Sequence, residues 1–149
     1  MVKPAVLERY PLFGGLTGSQ LEQIIPLMEA EGFEAGALII SEGSLNDRIR
    51  FILEGRIAVI KQGTVLAEMA QGDEFGEMEV LDIMPSEAAI RALSPVRVLS
   101  ISNKALYRLH HEDPDAFSML IMNLARDLSR RLRRMDQRVA RESPIHEWG

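Results

Sequence analysis

The spacing of apolar residues changes period twice along the chain. Leu12, Phe13 and Leu16 lead into Thr17-Gly18-Ser19-Gln20, where a Thr and a Gln three residues apart fit a capping box. Leu21, Ile24, Ile25 and Met28 recur at helical spacing, and Pro26 inside that run predicts a kink or an early end. From Phe33 to Ser102 short apolar runs alternate with turn signals at Gly36, Gly43, Gly55, Gly63, Gly72 and Pro95. The segments 37–40, 49–53, 56–60, 65–69, 88–92 and 96–101 are predicted strands, and Gln62-Gly63 predicts a tight hairpin between two of them. Six or more short strands at this spacing argue for a closed or double-sheet β-barrel, giving a mainly β fold with flanking helices.

After Asn103 the period is helical again. Phe117, Ile121, Leu124, Leu128, Leu132, Met135 and Val139 step by 4, 3, 4, 4, 3 and 4 residues, one apolar stripe on one helix. His110 to Pro114 separates it from a shorter helix around 103–109. The stripe spans about 33 Å at ~1.5 Å per residue, more than one small barrel can cover. A homodimer through this helix is therefore expected, or a contact with another protein, with Arg131 and Arg134 turning outward beside the seam. The domain is expected over 1–141, with the barrel over about 33–102, helices over about 103–141, and 142–149 as a frayed tail that includes Trp148.

The chain has 149 residues, 46% hydrophobic and 26% charged, the composition of an ordinary globular domain. The absence of cysteine excludes disulfides, thiolate metal sites and a cysteine nucleophile, and fits a cytoplasmic location. The N-terminus lacks the basic and apolar pattern of a signal peptide, and no apolar run reaches membrane-spanning length. Seven arginines against Asp127 and Asp136 give the stretch 126–141 a net charge of +5 within a total of −5. The remaining body, at −10, would repel nucleic acid, and the basic stretch is read as a solvated helix face. His110, His111 and His146 all lie outside the predicted strands, so a barrel metal site is not expected. No nucleophile elbow, Walker loop or dinucleotide fingerprint occurs. Catalysis has no visible carrier, and no resident cofactor is expected.

The segment Gly72-Asp73-Glu74-Phe75-Gly76-Glu77 is the most informative. Its glycines let the backbone come close to a ligand, and the N–H groups of a following helical turn would point at an anion. A plain turn covering one end of the barrel is the alternative. Together with Phe13 to Leu16, Gly36, Glu42-Gly43, Asp47, Phe51 to Gly55, Ala88-x-Ile90-x-Ala92 and the helix at 123–132, this order of motifs resembles the cyclic nucleotide-binding domain family. The resemblance implies an eight-stranded double-sheet (jelly-roll) barrel with an N-terminal helix and a long C-terminal helix. It also implies that Phe75, Gly76, Glu77, Met78, Ser86, Glu87 and Ala88 belong to a phosphate-binding cassette, with Glu77 the residue that grips the ribose hydroxyl.

The chain departs from the family where the phosphate should be held. Family members that bind cyclic nucleotides carry an Arg after the short cassette helix, usually followed by Ala or Ser; here Ser86 and Glu87 stand at those places. Losing one partner of a buried charged pair costs about 2–5 kcal/mol, or roughly 30-fold to 3,000-fold in affinity. Glu87 would add repulsion if it faced the pocket, and Arg91, alternating with Ile90, is expected to point away from it. Binding of cAMP or cGMP is thus expected to be weak or absent. A genuine receptor with an atypical phosphate contact is the competing expectation. In the regulators of this family a helix-turn-helix domain follows the long helix; few residues follow Arg138 here, so sequence-specific DNA binding is not expected.

Overall fold

A computed structural model describes residues 2–142. The 143–149 part of the expected tail, with Trp148, lies outside the described residues, as does His146. Thr17 caps the helix Gly18–Ile24: its hydroxyl accepts from Gln20 N at 3.1 Å while the Gln20 side chain accepts from Thr17 N at 3.0 Å. That helix stops before Pro26, which sits in a 3-10 turn, Ile25–Leu27.

Eight strands follow: β1 (Glu29–Phe33), β2 (Leu38–Ile40), β3 (Arg48–Glu54), β4 (Arg56–Lys61), β5 (Thr64–Ala70), β6 (Glu74–Phe75), β7 (Ala89–Ala92) and β8 (Val96–Ser102). They form two antiparallel four-stranded sheets, ordered β1-β8-β3-β6 and β2-β7-β4-β5. The strand region therefore begins at Glu29, not at residue 33. Gln62 and Gly63, both at positive φ, turn β4 into β5, the geometry a two-residue hairpin needs.

The central strands of the first sheet, β3 and β8, are buried on both faces. Ile52, Phe75, Val96 and Val98 meet Ile40, Ile57, Ile90 and Ala92 of the second sheet. Ile49, Phe51, Leu99 and Ile101 point the other way, into a second core with Leu7, Phe13, Leu21 and Ile24. The unbroken burial of β8 from Val98 to Ile101 follows from this double cover. Two C-terminal helices, α4 (Asn103–Glu112) and α5 (Pro114–Glu142), close the same side. Asn123 of α5, itself buried, donates to the carbonyls of Leu12 and Gly14 at 2.9 and 2.8 Å and ties α5 to the N-terminal segment. No helix among the described residues is long and apolar enough to cross a membrane.

Candidate functional site

Between β6 and β7 the chain makes a sharp turn, a short helix and a loop. Gly76 sits at φ 88°, and a Cβ there would lie 2.7 Å from both the Arg48 carbonyl and Asn46 Nδ2. Only glycine fits. Asn46 Nδ2 donates to the carbonyls of Arg48 and Gly76, at 2.9 and 3.0 Å, while Asn46 Oδ1 takes a 3.3 Å bond from Arg50. Arg50 in turn holds Glu31 of β1 at 3.1 Å, so the cassette turn is anchored to the first sheet through a polar chain.

The cassette helix, Glu77–Asp82, follows directly and ends at Ile83, a β-branched residue at φ 58°. Such a backbone is unusual for isoleucine and shows how tightly the connection is drawn. Phe75 is buried between the sheets, whereas Met78 stands exposed on the cassette helix. Ser86 is buried: its hydroxyl donates to Ala88 O at 2.6 Å, its N–H to Ser44 O at 2.8 Å, and its carbonyl accepts from Gly43 N at 2.7 Å. These bonds commit Ser86 to its own loop and the loop beside it. Glu87 faces solvent, 79% exposed, with Lys61 Nζ at 3.8 Å. Arg91 is also exposed and donates to Gly36 O at 2.7 Å, turned away from the cassette as its alternation with Ile90 implied.

Glu77 is buried, and its partner is a residue of α5. Arg131 Nη1 donates to Glu77 Oε1 at 2.8 Å and Arg131 Nη2 to the Glu74 carbonyl at 2.9 Å; Nη2 also lies 2.8 Å from Asp127 Oδ2 and 3.4 Å from Glu74 Oε1. The outward orientation expected of Arg131 is thus corrected: three carboxylates and a carbonyl draw the guanidinium inward. Burial alone would lower the Arg131 pKa, but Glu77, Glu74, Asp127 and Asp73 more than offset it, and the guanidinium titrates above its ordinary value. Burial raises the Glu77 carboxyl despite the attraction of Arg131.

Sequence reasoning missed Glu74, Asp127, Arg131 and Asn46 as parts of this site. Asp127 and Arg131 do stand four residues apart with the acid first, a helical ion-pair signal. Nothing in that spacing reveals that the pair reaches a strand more than fifty residues earlier. The apolar stripe of α5 divides. Leu124 is buried and Phe117, Ile121 and Leu128 are partly so, while Leu132, Met135 and Val139 are 59%, 61% and 58% exposed. A cavity of about 280 Å³ lies on the helix side of β6, between Tyr10, Gln71, Asp73, Glu74 and Asp127, away from the space between the sheets.

Comparison with known proteins agrees with this fold. The regulatory subunit of cAMP-dependent protein kinase from Eremothecium gossypii is 30% identical over 69% of this chain and 23% of its own length. The CRP-like cAMP-activated global transcriptional regulator of Mycobacterium tuberculosis is 26% identical over 91% of this chain and 61% of its own. The chain therefore spans between about a quarter and three fifths of the length of these relatives. In fold, it is similar to a cyclic nucleotide-binding domain from Methylobacillus flagellatus, with a TM-score of 0.86 at 24% identity over 97% of this chain and 84% of that one. The family model for the cyclic nucleotide-binding domain matches residues 30–113, from β1 through the cassette to the end of α4, and by that match the chain belongs to the cyclic nucleotide-binding domain family.

Proposed function

We propose that this chain is a non-catalytic regulatory module that binds cAMP and cGMP weakly or not at all, and that it acts in the cytoplasm by pairing through α5 or by engaging another protein. The observation that carries this reading is the loop after the cassette helix. Ser86 offers no cation to a cyclic phosphate, and its hydroxyl hydrogen is committed to Ala88 O. Glu87 does not repel a ligand directly, since it faces solvent beside Lys61; the loss lies in the missing arginine. Arg91 is engaged with Gly36 O and does not replace it.

The pairing half of the proposal rests on α5. Its buried face, Ala116, Leu120, Asn123 and Leu124, belongs to the first half of the helix. Beyond it Leu128 is half-buried, and Leu132, Met135 and Val139 continue the stripe exposed. A second copy of the same helix would cover it symmetrically.

Two measurements test the proposal. Millimolar cAMP or cGMP should raise the melting temperature by much less than the shift that about 2.7 kcal/mol would give, the stabilisation expected of ligand at 100 times its dissociation constant. Sedimentation velocity at tens of micromolar should show a dimer; a monomer there removes the pairing half.

A further inference from the structure

Glu74 and Asp127 meet on the helix-facing side of β6, where the surrounding ion pair does not satisfy them. Glu74 pairs with Phe51 in the ladder, and Phe51 packs among the helices, so the Glu74 side chain is directed toward α5. That side chain is only 4% exposed. Glu74 Oε1 and Asp127 Oδ2 are both closed to solvent and accept no well-formed hydrogen bond among the described residues. The charged groups acting on Glu74 are Asp127 and Arg131 from α5 and Glu77 from the cassette helix; Glu79 lies beside Glu77, and Asp73 from the preceding turn acts on Arg131. Across the cavity Tyr10 Oη accepts from Gln71 Nε2 at 2.9 Å. One guanidinium therefore stands against the carboxylates of Glu74, Glu77 and Asp127, two of them almost fully buried, where a surplus of like charge is costly.

We propose that Glu74 is protonated at neutral pH and donates that proton to Asp127, and that the shared proton together with Arg131 latches α5 to the cassette. With the proton in place each orphan oxygen has a partner and Arg131 balances one of the two remaining carboxylates. Without it, two buried carboxylate oxygens face each other and the segment of α5 around Asp127 and Arg131 is pushed off β6. Burial first, and then the bond to Asp127, raise the Glu74 carboxyl to about 9 against the attraction of Arg131. Because the folded-state value lies above the unfolded one, the proton's contribution to stability is fully present below the ordinary carboxyl range. It is lost as pH rises through the folded-state value.

Carbon-13 NMR of the side-chain carboxyls tests this directly. Glu74 should titrate well above pH 7, and Asp127→Asn should lower its midpoint by about one unit or more, since an amide can donate to the ionised form. In Glu74→Gln the amide donates to Asp127 as the protonated acid does. Its melting temperature should therefore fall less between pH 6 and pH 9 than that of the unmodified protein, and exchange of α5 amides near Arg131 should lose its extra acceleration at high pH. A Glu74 midpoint below pH 6, or parallel melting curves for the two proteins, would overturn the latch. Stabilisation of the unmodified protein by millimolar Ca²⁺ that Glu74→Gln abolishes would also overturn it, by placing a cation where the proton is assigned.

Discussion

Ser86 and Gly76 show how single positions shape the turn and the loop on either side of the helix Glu77–Asp82. Ser86 stands where a receptor of this family carries arginine, and its buried bonds to Ser44, Gly43 and Ala88 keep the loop in place without a cation. Replacing Ser86→Arg together with Glu87→Ala supplies the charge and a small neighbour. The double variant should bind cAMP at least about 30-fold more tightly than the unmodified protein, read by competition with a fluorescent analogue. No gain in affinity would mean that the pocket fails for a reason other than the phosphate contact. Gly76→Ala should destabilise the fold by about 1–3 kcal/mol in urea titration, because a Cβ would collide with the Arg48 carbonyl and the Asn46 side chain at a positive φ. The turn at Gly76 and the short helix that Glu77 opens were legible in the chain because the motif around them is local. Asn46 and Arg131 were not, because they reach the cassette from 30 and 54 residues away and no local pattern carries that distance.

Whole elements were legible where short runs rich in apolar residues are bracketed by turn residues, as in β4, β5 and β8. β1 escaped notice because Glu29 and Glu31 occupy one face of a strand that contains a glycine. Those glutamates pair with Arg48 and Arg50 of β3 instead of filling a core. β6, only two residues long, carries too little pattern to be seen. α5 was visible as a helix, but its stripe marks only part of the buried face, since Asn123 lies on that face and serves as a polar tie. Asn123→Ala should cost about 1–3 kcal/mol of stability by chemical denaturation, by leaving the Leu12 and Gly14 carbonyls without their partner. In the exposed half, Leu132→Glu with Met135→Glu should convert a dimer to a monomer in sedimentation while leaving the melting temperature of the monomer nearly unchanged, because neither side chain is buried in the single chain.

In the molecule as a whole, one sheet is covered by helices on one face and by the second sheet on the other, so the cassette turn is held from both sides. Asn46 and Arg50 secure it to β3 and β1, and Arg131 secures it to α5. The most direct test is isothermal calorimetry of the unmodified protein with cAMP at physiological salt. The missing arginine predicts no measurable heat of binding, or a dissociation constant weaker than about 100 μM. A dissociation constant in the micromolar range or tighter would contradict the account.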